Sequence, residues 1–263
     1  GRAAHAASAP HRGRSALDGV EAMNYMVNLM REHVPQMARI HYVITDGGDA
    51  PNIVPEEAQV YYYVRHPKPS QVVSLFKRVV KAADAAAMGT ETAVSVEVMH
   101  GNYPVMPNHT LAQVVHDNML GLGGIRYDEA EQAFAEKIQA SFQIPRLPLG
   151  SERQVQPYVF RQGMGSTDVG DVSWLVPTVG FTTATWVPGT SAHRWQAVAA
   201  GGMSIGHKGM HLATKLLAQT AVDLIERPTL IAAATEELKR SQGPDFKYSA
   251  LLGDRLPPLD YRR

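Results

Sequence analysis

The chain has 263 residues, 44% of them hydrophobic and 19% charged, enough to bury a sizeable core in one large domain or two modest ones. Lys+Arg and Asp+Glu both number 25, so no bulk field draws the protein to nucleic acid or to an anionic membrane. Cysteine is absent, which excludes disulfide scaffolds and thiolate metal sites and suits a cytoplasmic location. The eleven histidines and the carboxylates are therefore the strong metal ligands available.

No run of about 18 apolar residues spans a membrane. No signal-peptide pattern opens the chain, which begins "GRAAHAASAP" without a methionine. The opening reads as the tail of a strand that ends at Pro10. Residues 14–34 set Leu17, Val20, Met23, Val27, Met30 and Val34 at spacings of three and four, which predicts a helix capped by Ser15 and stopped before Pro35. Residues 38–45 read as a strand and "DGGDAPN" as a turn, with "AQVYYYVR" (58–65) a second strand. Residues 69–89 form a long amphipathic helix ending at glycine, and "TAVSVEVMHG" (92–101) alternates as a strand. The order βαββαβ is that of a split-βαβ, ferredoxin-like sandwich.

A boundary falls near 102–108. Beyond it, 109–123 and 128–143 read as helices with Asn108 and Asp128 as caps, and a loop rich in Pro, Gly and Arg fills 144–165. A short turn-helix then feeds an apolar strand near 176–182. Residues 204–226 form a helix with Ile205, Leu212, Leu216, Leu217 and Val222 inward, and 228–241 form a last helix. One or two strands against four helices are too few for a self-contained α/β domain, so the expectation is that material belonging to this second block precedes Gly1.

Four stretches carry candidate chemistry. In "WVPGTSAHRWQ" a Pro-Gly turn delivers His193 into a loop between two tryptophans, as a site residue or as a turn histidine with a structural hydrogen bond. In "GMGSTDVGDVSW" Asp168 and Asp171 lie three apart and read either as helix-capping residues or as paired carboxylates for a metal or a general base. "GGMSIGHKGMH" fails as a phosphate loop, lacking the Ser/Thr after Lys208. It also fails as H-E-x-x-H, because Lys208 stands where the glutamate would be. It reads as a helix start packed closely on another backbone, with His207 as a polar N-terminal residue. Finally, Asn52 sits in a turn and Arg65 at the end of the following strand, each a surface residue or a binder of a carboxylate or carbonyl.

Taken together, "GSTDVGDVSWLVPT", "PGTSAHRWQ" and "SIGHKGM" resemble the co-catalytic zinc metallopeptidases and amidohydrolases that include carboxypeptidase G, aminoacylase and hippurate hydrolase. The resemblance runs from Gly1 to about residue 240. It implies a βαββαβ dimerisation or lid domain at 1–103, the C-terminal part of an α/β two-metal peptidase domain at 104–241 and a tail at 242–263. It also implies two Zn or Mn ions in the intact enzyme, a homodimer through the lid, and a small N-acyl or N-aroyl amino acid substrate resembling aminobenzoyl-glutamate. By the same resemblance His193 is a metal ligand and His5 is the lid histidine that steadies the oxyanion in the partner's site. Asn52 and Arg65 bind substrate, while Asp168 and His207 take positions without assigned roles. The family's H-x-D segment, bridging Asp and Glu-Glu base pair are not found; Glu56-Glu57 and Glu236-Glu237 lie in a lid turn and a terminal helix. One histidine does not hold a catalytic zinc, which takes about three protein ligands. The expectation is therefore a chain inactive alone, completed by a companion half. The alternative is a non-catalytic dimerisation or binding module.

Overall fold

The computed structural model describes residues 1–143, 147–160, 163 and 165–253. The 144–165 loop and the 242–263 tail of the sequence reading thus lie partly outside the described residues. The chain divides into two compact units: one of residues 1–104, 164–168 and 249–263, the other of 105–163 and 169–248.

In the first unit, α1 (Ala16–Met30) starts where the Ser15 hydroxyl accepts from the Asp18 N–H at 3.1 Å, and a 3-10 turn (Arg31–His33) carries the chain on before Pro35. β2 (Arg39–Asp46) pairs antiparallel with β4 (Gln59–Arg65), with Ile40 opposite Val64, Tyr42 opposite Tyr62 and Ile44 opposite Val60. Because side chains alternate across a strand, this set shares one face. That face packs beneath α1 and α2 (Pro69–Gly89), closing a core of Met23, Val27, Ile40, Val79, Ala83 and Ala86. Buried Asn24 is satisfied there by the Tyr62 hydroxyl, as a polar group within a core requires.

Two departures from the sequence reading concern strands. β1 (Ala4–His5) pairs with a two-residue β3 (Ile53–Val54), so among the described residues the unit holds two two-stranded sheets rather than one ferredoxin-like four-stranded sheet. Residues 93–108 carry no assigned strand, and 93–100 are all exposed. Alternation fixes which way side chains point, but a strand exists only where a neighbour completes its ladder.

The second unit is helical: α3 (His109–Leu122), α4 (Glu129–Ala140), α5 (Val169–Ser173), α6 (Trp195–Gly201), α7 (Ser204–Glu226) and α8 (Pro228–Gln242). The expected caps hold: Asn108 Oδ1 accepts from Leu111 N–H at 3.0 Å, and Asp128 with Glu131 forms a reciprocal capping box. α3, α7 and α8 pack on one another, and a core of Ile125, Tyr127, Ala135, Ile138, Val187, Ala200 and Ile205 lies beside them. Leu217 and Val222, expected inward, are exposed; the buried stripe of α7 runs through Ile205, Gly209, Leu216 and Thr220. The 176–182 stretch carries no assigned strand.

Candidate functional site

In the first unit the β1–β3 ladder sets His5 opposite Ile53, and the Ala6 N–H donates to the Asn52 carbonyl at 2.9 Å. Two of the candidate residues are thereby brought to adjacent places by four residues of sheet. His5 is exposed, yet its ring is held. Nδ1 accepts from the Ala7 and Ser8 N–H groups, both at 3.2 Å, while the His5 carbonyl accepts from Ala9 N–H at 2.9 Å. A neutral imidazole that accepts at Nδ1 carries its proton on Nε2. The turn therefore makes His5 a hydrogen-bond donor at Nε2, which has no partner among the described residues.

Arg65 ends β4, opposite Arg39, on the other sheet. Its guanidinium lies 5.0 Å from the centre of the Tyr63 ring, and Tyr63 meets Tyr61 edge-on at 5.1 Å. Residues 61, 63 and 65 share a face because they alternate along one strand. Tyr63 is exposed, so the arginine rests on an aromatic support at the surface.

In the second unit, Val187 is buried and Gly189 turns the chain at φ +89°. Exposed His193 follows at φ +60°, a left-handed conformation that a residue bearing a Cβ adopts at a cost of about 1–2 kcal/mol. Such strain persists where the surroundings impose it, and here α6 begins two residues later.

The start of α7 is packed as its glycines demand. A Cβ on Gly206 would stand 2.2 Å from the Gly201 carbonyl oxygen, and one on Gly209 would stand 2.7 Å from that of Ala184. His207 is an exposed residue of the first turn, its N–H donating to Met203 O at 3.1 Å. Lys208 serves the fold, since its ammonium pairs with Glu131 and donates to the Arg126 carbonyl at 2.9 Å. Glu237 likewise caps α3, accepting from the His109 and Thr110 N–H groups at 2.6 and 2.8 Å. Burial opposes its ionisation, but the bonds from Thr110 and His109 prevail and hold its carboxyl below the ordinary value. Asp168 is exposed, with Thr167 Oγ1 at 3.5 Å, whereas Asp171 Oδ1 accepts from the Tyr248 hydroxyl at 2.9 Å.

Among the described residues no three His, Asp or Glu side chains gather to hold a metal ion. The residues present therefore do not fit a catalytic metal centre by themselves. Three features escaped the sequence reading: the turn that locks the His5 tautomer, the Tyr63 support and the Lys208–Glu131 pair. Only the second left a legible trace, in the alternation Tyr-x-Tyr-x-Arg.

Residues 1–91 match a peptidase dimerisation domain, the M20 type. Over 263 aligned residues the chain is 36% identical to a subunit of the p-aminobenzoyl-glutamate hydrolase of Escherichia coli K12, covering 90% of this chain and 55% of that protein. The chain is thus similar to peptidases and amidohydrolases of this type. The Xaa-Arg dipeptidases of Mus musculus and Homo sapiens are 30% and 27% identical, each over 91% of this chain and 49% of the relative. The chain thus spans about half the length of the curated relatives it matches.

Proposed function

We propose that this chain is one portion, lid domain plus C-terminal catalytic part, of a cytoplasmic metal-dependent amidohydrolase that cleaves the amide bond of an N-acyl or N-aroyl amino acid such as aminobenzoyl-glutamate. The reading is supported above all by the identity to a component of a p-aminobenzoyl-glutamate hydrolase across nine-tenths of the chain. Local geometry agrees with it. His5 is preset to donate from Nε2, the group an oxyanion needs as charge develops on the carbonyl oxygen. Asn52 sits one residue before the ladder partner of His5, where its amide can take a carbonyl or carboxylate oxygen. Arg65 presents a planar fork suited to a carboxylate.

His193 contributes one ligand to a Zn or Mn centre whose other ligands come from the rest of the enzyme's length. Dimerisation runs through residues 1–91, in keeping with the domain they match. Asp168 and His207 remain surface residues without a part in this scheme.

The alternative expected from the sequence is a binding module without catalysis. One experiment separates the two. The chain is assayed for p-aminobenzoyl-glutamate cleavage with Zn or Mn, alone and co-expressed with the part of the Escherichia coli relative that it does not match. The amidohydrolase reading expects hydrolysis only in the combination. No hydrolysis in either sample, with both polypeptides folded and associated, would leave the binding module.

A further inference from the structure

The face of the β2–β4 sheet turned away from α1 and α2 is basic. Side chains alternate along each strand, so Arg39, His41 and Val43 share this face with Tyr61, Tyr63 and Arg65. No Asp or Glu stands in the ladder between Arg39–Val43 and Tyr61–Arg65, and the register sets Arg39 directly opposite Arg65. Like charges directly opposite on neighbouring strands destabilise a sheet, and an anion laid across them relieves the repulsion.

Arg39 is exposed, yet its guanidinium is held. Nη1 donates to the Gln36 carbonyl at 2.8 Å and to the Ala38 carbonyl at 2.7 Å, while Nε and Nη2 have no partner among the described residues. An arginine anchored through one nitrogen keeps the opposite edge of its fork for a carboxylate. The two guanidinium groups lean apart. Arg65 lies back along β4, 5.0 Å from the centre of the Tyr63 ring, whereas Arg39 reaches off the start of β2 to Gln36 and Ala38.

We propose that Arg39 is a specificity residue that takes the second carboxylate of an acidic amino acid whose first carboxylate is held by Arg65. The substrate class is then the N-acyl or N-aroyl conjugate of a dicarboxylic amino acid. The proposal rests on the functional reading above for the reaction and for the role of Arg65. Forks that diverge from neighbouring positions serve two anionic groups on one molecule, whereas a single phosphate or carboxylate calls for forks that converge. One relative is named for a glutamate conjugate and two for Xaa-Arg dipeptides. A pair of guanidinium groups favours the acidic side chain of the first kind and repels the basic one of the second.

The test has two arms. In the first, the full chain alone is titrated with glutarate and with butyrate at low ionic strength and followed by amide chemical shifts. The expected result is glutarate binding roughly fivefold tighter or more than butyrate, with shifts centred on residues 39–41 and 63–65. In the second, the chain combined with the part of the Escherichia coli relative that it does not match is given p-aminobenzoyl-glutamate and p-aminobenzoyl-glutamine. The expected kcat/KM favours the glutamate conjugate by roughly tenfold or more. Arg39→Gln abolishes both preferences, in the second arm by slowing the glutamate conjugate alone. Arg39→Lys, which keeps the charge, retains part of them, and Arg240→Gln, at an exposed position on α8, leaves them intact. A preference in either arm that Arg39→Gln removes supports the site. Absence of a preference from both arms overturns the proposal, as does one that survives in Arg39→Gln. Glutarate selectivity lost in Arg39→Gln, without hydrolysis of either conjugate, would support the dicarboxylate site and refute the functional reading. Hydrolysis of both conjugates at equal rates, with glutarate and butyrate bound alike, would do the reverse.

Discussion

Replacing Lys208 with methionine keeps most of the side chain's apolar stem and removes its charge. Glu131 is 4% exposed, and its carboxylate accepts from the Asp128 N–H at 2.8 Å and from the Lys208 ammonium, which also stands 4.0 Å from Asp128 Oδ2. The variant leaves a buried carboxylate without its cation. Breaking a buried pair costs about 3–5 kcal/mol. The lysine side chain is 38% exposed, so water already screens part of the attraction, and about 2–3 kcal/mol is the expected loss. At about 2–4 °C per kcal/mol for a chain of this size, the melting point falls by about 5–10 °C.

The loss has a definite pH dependence. Burial on its own would raise the Glu131 pKa, but hydrogen bonds from Lys208, Ser204 and the Asp128 N–H outweigh it and hold the carboxyl below its ordinary value. A carboxyl lowered on folding contributes stability that is fully present above its unfolded value, about 4.3, and is lost as pH falls through the folded one. The deficit of Lys208→Met is therefore largest at neutral pH and shrinks below about pH 4. Urea unfolding across this range, followed by tryptophan fluorescence, reads the correct unit, because Trp174, Trp186 and Trp195 all lie within 105–163 and 169–248. Glu131→Gln and the double variant complete a cycle, with the two losses less than additive. A Lys208→Met protein within about 0.5 kcal/mol of the parent at pH 7, or a deficit independent of pH, would falsify the pairing argument.

In the assembled enzyme, His5→Ala should lower kcat by about 10²–10³-fold with metal content unchanged, whereas His193→Ala should lower metal content measured by elemental analysis. The opposite pattern would refute both assignments. Tyr63→Leu removes the ring beneath the Arg65 guanidinium and should raise KM by about 2–5-fold with kcat retained, while Tyr63→Phe behaves as the parent. If Arg65→Lys raises KM and Tyr63→Leu does not, the support is irrelevant to the arginine. Gly209→Ala brings a methyl group to 2.7 Å from the Ala184 carbonyl oxygen and should cost about 1–3 kcal/mol in urea unfolding, and a neutral result would mean that α7 can shift.

The helices were legible because their signals are local. Ser15, Asn108 and Asp128 cap by reaching three residues along the chain, and the spacing of Met23 and Val27 already names the buried face of α1. Strands were legible only halfway. "TAVSVEVMHG" and the stretch near 176–182 alternate or run apolar in sequence but carry no assigned strand, because strand status depends on a second backbone that the pattern itself does not specify. The same limit explains why the β1–β3 pair, which joins positions nearly fifty apart, was invisible: two residues on each side leave no alternation to detect.

The candidate site shows a further division, between residue type and residue state. That His5 and His193 were candidates followed from the sequence and its family resemblance, but what distinguishes each of them is a backbone event. His5 is a donor because two successive N–H groups turn back onto Nδ1, and His193 is presented by a left-handed φ that histidine does not prefer. Lys208 shows the converse. Its position within a histidine-flanked motif invited a chemical reading, whereas its ion pair with Glu131 gives it a structural one. A charged side chain satisfied by a buried counter-charge is engaged in folding. An exposed histidine held by its own backbone is free to engage something outside the chain, and under the proposed function this contrast favours the two loops over the helix.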